Sequence, residues 1–180
     1  MASINVLNII VLNPIAKFNE DFNFEVTFEC LSSLQDEIEW KVIYIGSAEN
    51  EKFDQELESV AIGPLKVGTM KFRMEAHCPD YKKIPEGDLL GVTAILLCCS
   101  YKNQEFFRVG YYINNSYDNE EMNIQPPEQV QIDRVVRSLL AEKPRITKFF
   151  IDWDGSKDTS KPTGNIEPNN RFMFEKVNIL

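Results

Sequence analysis

The most constraining stretch of this chain runs from Asp88 to Asn115, DLLGVTAILLCCSYKNQEFFRVGYYINN. Its apolar, β-branched and aromatic content is interrupted at the polar pair Lys102-Asn103. That pattern predicts two strands, Leu89–Tyr101 and Gln104–Asn114, joined as a tight hairpin. The first strand is apolar on both faces. Thr93, Ile95, Leu97 and Cys99 share one side; Val92, Ala94, Leu96 and Cys98 share the other. On the second strand Phe107, Val109, Tyr111 and Ile113 oppose Phe106, Arg108, Gly110 and Tyr112. An antiparallel strand with one wet face alternates apolar and polar residues. Here the second face needs a cover, supplied by the same chain or by a partner.

The remaining segments repeat the strand pattern. Ile4–Leu12 ends at the turn Asn13-Pro14, and Phe22–Cys30 alternates without a fault, Phe22, Phe24, Val26, Phe28 and Cys30 against polar neighbours. Ile38–Ile45, Phe53–Ile62 and Gly68–Ala76 follow, each closed by Gly, Pro or charged residues. In Phe53–Ile62 strict alternation sets Phe53, Gln55, Leu57, Ser59 and Ala61 against Asp54, Glu56, Glu58, Val60 and Ile62. Beyond Pro126-Pro127 the period changes. Ile132, Val135, Val136, Leu139 and Leu140 fall at helical spacing, so Glu128–Lys143 reads as an amphipathic helix or a pair of turns. Pro144 ends it, and Arg145–Trp153 returns to strand character. Many short strands with Gly/Pro turns predict an all-β sandwich with short helical segments in its loops. One domain over residues 1–154 is expected, followed by a flexible tail, 155–180, polar and Pro/Gly-rich at first. Arg171–Leu180 regains Phe172, Met173, Phe174 and Val177 and is suited to dock back or to bind something.

Charge and cysteine usage exclude several functions. The net charge of −9 opposes a dominant contact with nucleic-acid phosphates, which needs clustered Lys and Arg, and suits a basic partner. The N-terminus lacks a basic leader, and no apolar run approaches a membrane span. Cys30, Cys78, Cys98 and Cys99 form no disulfide framework; they read as free thiols of a reducing compartment, which leaves the sequon Asn114-Asn115-Ser116 silent. His77, beside Cys78, has neither a second histidine nor a C-x-x-C and reads as a surface loop residue, so no metal site is expected. No phosphate loop or nucleophile elbow appears. Neither an enzyme nor a cofactor is indicated.

At the hairpin a family becomes recognisable. GVTAILLCCS followed by YKNQEFFRVGYYINNSY resembles the anti-silencing-function family of histone H3–H4 chaperones. FNEDFNFEVTFEC at Phe18–Cys30, IEWK at Ile38–Lys41 and YIGSAE at Tyr44–Glu49 agree in family order. So do FDQELESVAIGP at Phe53–Pro64 and LLAEKPRITKF at Leu139–Phe149. The resemblance covers about Ser3–Asp154 and implies an elongated immunoglobulin-like sandwich.

It also implies sites. The C-terminal helix of histone H3 would lie across a concave surface at Val92, Ala94 and Leu96, flanked by Ile45, Arg108 and Tyr112. Asp54 and Asp88 would meet basic histone side chains and Arg108 an acidic one. The C-terminal end of histone H4 would add a strand near Pro144, Arg145, Ile146 and Thr147, with an apolar side chain entering a pocket by Tyr111, Leu140 and Ile146. A far-side site at Asp36, Glu37, Glu39, Glu58, Ile62 and Phe72 would take upstream deposition chaperones through a basic hairpin motif. The implied protein is a nuclear monomer with a cytoplasmic pool, which binds an H3–H4 dimer without direct nucleic-acid or membrane contact. Two departures stand out: Ala94 replaces the family's usual valine, and Asp36-Glu37 reverses its usual acidic pair. A second class is an immunoglobulin-like adaptor that keeps the fold but binds basic hairpin motifs of other chromatin proteins.

Overall fold

The computed structural model describes residues 1–154; the expected tail and its Arg171–Leu180 segment lie outside them. Ten strands are described: β1 (Ile4–Val11), β2 (Ile15–Lys17), β3 (Phe22–Cys30), β4 (Ile38–Ile45), β5 (Asp54–Ile62), β6 (Gly68–Ala76), β7 (Gly91–Tyr101), β8 (Gln104–Tyr117), β9 (Val135–Leu139) and β10 (Arg145–Lys148). They form two antiparallel sheets, one ordered β1-β3-β6 and the other β2-β9-β8-β7-β4-β5, with β10 also paired to β8. The fold is the all-β sandwich expected, with short helical turns at Glu86–Leu89 and Glu120–Ile124.

β3 and β7 supply the core. The inward residues of β3 are all buried, and they pack against Ile95, Leu97 and Cys99 of β7 with Trp40 and Tyr44 of β4. Each such large apolar side chain contributes about 1.5–3 kcal/mol on leaving water. The β7–β8 turn has Lys102 and Asn103 at φ 48° and 60°, the left-handed geometry of a two-residue turn that follows strand twist.

Three expectations are corrected. The helix over Glu128–Lys143 is absent: a single 3₁₀ turn at Ile132–Arg134 leads into β9. In β9 the buried set is Val135, Arg137 and Leu139, so an arginine occupies an inward strand position. That polar residue erased the period-2 signal. In β5 the register shifts between Val42 and Ile43 of its partner, so Leu57 is an extra residue. Glu58, Val60 and Ile62 therefore pair with Val42, Trp40 and Ile38, and alternation reverses halfway along the strand. Finally, β10 stops at Lys148; the chain continues alongside β8 through the Phe149 N–H to the Phe106 carbonyl and then leaves strand geometry.

The end of the described chain is latched to the hairpin tip. The Trp153 ring lies 5.5 Å from that of Tyr101 and 4.8 Å from that of Phe106. Asp154 accepts from the Tyr101 hydroxyl, from Lys102 Nζ at 2.7 Å and from the Gln35 N–H at 3.2 Å. The Lys102 and Tyr101 hydrogen bonds hold its carboxyl down at about 2. A folded pKa below the unfolded value gives stability that is present above about pH 4 and lost as pH falls toward 2. Asp154→Asn is therefore expected to lower Tm at pH 6, with the gap to wild type closing between about pH 4 and 2. A gap unchanged at pH 2 in thermal melts would contradict the latch.

Candidate functional site

Strand register builds a second apolar surface on the side of the larger sheet away from the core. β4 pairs with β7 so that Ile43 lies beside Leu96 and Lys41 beside Cys98. β7 pairs with β8 so that Ala94 lies beside Tyr112, Leu96 beside Gly110 and Cys98 beside Arg108. Alternate residues of a strand share a face, so these side chains leave the sheet together. Ile45, Ala94, Leu96 and Cys98, with the half-buried Ile43, form an apolar island separate from the main core. Thr93 pins its edge by donating its hydroxyl to the Ile45 carbonyl.

The island is less open than a wholly exposed apolar face. Ala94 is 0% exposed and Leu96 7%, whereas Val92 at the end of the row is 56% exposed. Ala94 is the shortest side chain in a row flanked by Leu96 and Tyr112, and with no exposed area its methyl lies beneath the surface.

Charge rings the island. Asp54 pairs with Ile45 and Glu56 with Ile43 across β5, and the exposed Asp88 stands just before β7. Arg108 is not an isolated cation: its Nε and Nη2 donate to the two carboxylate oxygens of Glu105 at 2.8 and 2.9 Å. Burial is the largest single influence on Arg108 and opposes its charge, but the hydrogen bonds and charge of Glu105 together with the contact to Cys98 raise the pKa on balance. Positions three apart on a regular strand face opposite ways. A register shift opposite Cys99 and Ser100 puts an extra residue, Phe106, into β8 and brings Glu105 and Arg108 to one side. Burial, reinforced by Glu105, pushes the Cys98 thiol up to about 12, so Cys98 is a packing residue here.

The strand edge beside the island is the second expected locus. β10 pairs only with β8, Arg145 opposite Gly110 and Ile146 opposite Val109, and all four of its residues are exposed. Its outer backbone edge has no strand partner among the described residues, which is the geometry for adding a strand. Ile146 and Leu140 are exposed beside it, as is Pro144. The Arg145 guanidinium lies 5.9 Å from the Tyr112 ring and so joins this edge to the apolar surface. Tyr111 does not line the edge openly. It is buried in the core, its ring 6.5 Å from that of Phe24, and burial pushes its hydroxyl up to about 12.

The third expected set divides in two. Asp36, Glu37 and Glu39 border an open hollow of about 790 Å³ together with Lys41, Pro64 and Lys102. Lys102 lies 3.4 Å from Asp36, and Lys41 lies 3.0 Å from Glu39. Glu58 and Ile62 belong instead to the inward row of β5, at the lateral edge of the sandwich. Phe72 of β6 packs there on Trp40, with ring centroids 5.8 Å apart.

Sequence reasoning left Glu105, Ile43, Cys98 and Glu56 out of the site. Cross-strand register would have found the last three; Glu105 required the bulge. Among the described residues no His/Cys/Asp/Glu cluster is arranged to hold a metal ion, and His77 is exposed, 4.0 Å from Asp21. Among the described residues, the geometry of the site joins packed apolar side chains to charged ones. It offers an apolar surface with charged borders and an open strand edge.

Residues 1–154 match the family described as ASF1-like histone chaperones. The chain is 54% identical to histone chaperone ASF1B of Arabidopsis thaliana over 178 residues, 99% of this chain and 81% of that protein. It is 52% identical over 161 residues to histone chaperone ASF1 of Coccidioides immitis, covering 89% of this chain but only 59% of that one. Against histone chaperone ASF1 of Mycosarcoma maydis the identity is 48% over 163 residues, 91% of this chain and 94% of the other.

Proposed function

The chain belongs to the ASF1-like family of histone chaperones, binding proteins rather than enzymes, and from that premise we propose that it holds an H3–H4 dimer for nucleosome assembly and disassembly. The observation that carries this reading is the apolar island of Ile43, Ile45, Ala94, Leu96 and Cys98, set apart from the core and bordered by acids. A histone helix would lay its apolar side along Val92, Leu96 and Tyr112. Asp54, Glu56 and Asp88 would fix its register through basic side chains, and an acidic partner residue would share Arg108 with Glu105. The H4 C-terminal segment would pair with the open edge of β10, its apolar side chain resting between Leu140 and Ile146. Tyr111 would support that contact from beneath.

Binding without covalent chemistry or ATP suits a site with no catalytic group. The acidic chain attracts the basic histones at long range, and the apolar row supplies affinity at contact. The protein would act in the nucleus, with a cytoplasmic pool, as a monomer that touches neither DNA nor membrane. Upstream deposition chaperones would deliver histones through a basic hairpin held at the Asp36–Glu39 hollow and the Glu58–Ile62–Phe72 edge.

Light scattering of the complex tests the unit held. The expected particle is one chain with one H3 and one H4. A particle built on an H3–H4 tetramer would overturn the proposal that the face covers the H3 surface joining two dimers.

A further inference from the structure

We propose that the chain's own C-terminal segment, Arg171–Leu180, docks on the outer face at Ile43, Val92 and Leu96, so that a histone partner must displace it. This inference rests on the reading of that face as the histone site for its competitive consequence, though not for the docking itself.

The chemistry of the segment matches the face. RFMFEKVNIL carries Phe172, Met173, Phe174, Val177, Ile179 and Leu180, with Arg171 and Lys176 as its cations against the single acid Glu175. The face presents the exposed Val92 and the half-buried Ile43 of the apolar island, bordered by Asp54, Glu56 and Asp88. Apolar surface thus meets apolar surface, and the two cations meet an acidic border. The polar run before it, 155–170, has Ile166 as its single large apolar residue and carries no comparable anchor.

The path is also the right length. Asp154 is fixed at the hairpin tip by Tyr101, Lys102 and Gln35, so the undescribed chain starts at the Tyr101 end of β7. Leu96 lies five residues along that strand, about 17 Å away at ~3.3 Å per residue. Val92 is about 30 Å away on the same scale. Residues 155–170 number 16, and a flexible chain of that length has a root-mean-square span of about 20–24 Å and an extended reach near 50 Å. A tether whose span matches the distance gives an effective concentration in the millimolar range. A contact of only ~0.1–1 mM intrinsic affinity would then be about half to nine-tenths occupied. A competing partner would bind about two- to tenfold more weakly than to an open face.

A nitroxide label on Asn178→Cys, in a Cys78→Ser background of the full chain, tests the docking. Cys30, Cys98 and Cys99 are buried and stay unlabelled. Expected is selective broadening of the Ile43, Val92 and Leu96 methyl resonances, with Ile10 and Ile146 spared, and its loss when Phe172→Asp and Phe174→Asp are added. Uniform broadening, broadening centred elsewhere, or broadening that reappears when labelled and observed chains are separate molecules would each overturn intramolecular docking. A charge-neutral Phe172→Ser/Phe174→Ser chain, with circular dichroism unchanged, is expected to bind H3–H4 about two- to tenfold more tightly than wild type. Equal affinity overturns the competition. If neither chain binds histones, the histone reading fails while the label result still decides the docking.

Discussion

Arg137→Leu is expected to destabilise the fold by about 3 kcal/mol, a fall in Tm of about 6–12 °C for a domain of this size. Arg137 is 1% exposed on β9, and its guanidinium donates to the carbonyls of Phe18, Glu20 and Asp21, with the Asp21 bond at 2.8 Å. Its charge centre also lies 3.7 Å from the Phe22 ring centroid. Burial pulls its pKa down to about 10, which still leaves it fully charged at neutral pH. Removing it takes the Arg137 donor from the Phe18 and Glu20 carbonyls of the β2–β3 turn, leaves the Asp21 carbonyl with Asn13 Nδ2 alone at 2.7 Å, and deletes a cation–π contact worth about 2 kcal/mol when desolvated. Leucine recovers part of the loss by relieving the desolvation of a buried charge, which keeps the estimate near 3 rather than 5 kcal/mol. Denaturant melts read the effect. An unchanged midpoint would show that water satisfies the turn equally well and that Arg137 does not clamp it.

The same residue explains the largest misreading of the sequence. Ile132, Val135, Val136, Leu139 and Leu140 match a helical stripe only while Arg137 is assumed to face solvent. Once Arg137 is placed inward, Val135, Arg137 and Leu139 are a period-2 strand row. Buried arginine is rare enough that pattern reading excludes it, and only the carbonyls of a distant turn make it affordable. Bulges hid other features in the same way. Leu57 is inserted into β5, so Val60 and Ile62 join the inner row that strict alternation gave to the opposite side. Phe106 is inserted into β8, which creates the Glu105–Arg108 pair from residues that would otherwise diverge. By contrast, the hairpin was legible because Lys102-Asn103 can adopt positive φ and both flanking strands are rich in β-branched and aromatic residues. The two-faced apolar character of β7 was legible for a firmer reason: one row feeds the core, and the other builds the island. What composition could not reveal was how far neighbouring side chains close over Ala94 and Leu96, leaving Val92 as the opening. Tyr111 and Tyr112 point to opposite sides as neighbours on a strand must, and only tertiary packing shows that Tyr111 serves the core.

That difference in exposure decides where the central claim is best tested. Leu96→Arg would force a charge into a packed island and risk local damage to the sheet. Val92→Arg places it on an exposed side chain, where the free protein tolerates it, yet inside the contact that a histone helix would bury. An arginine stripped of water there without a full partner costs about 3 kcal/mol, a loss of at least about a hundredfold in affinity. Asp88 and Asp54 would attract the new cation, but under the proposed reading they would be engaged by the histone's basic residues, so pairing with them would not restore binding.

Calorimetric titration of H3–H4 into wild type and Val92→Arg, with circular dichroism confirming that both are folded, is the most direct measurement. Tight binding by wild type with a loss of about a hundredfold or more in Val92→Arg is the expected result. Equal affinities would place the histones elsewhere on the molecule and contradict the assignment of this face.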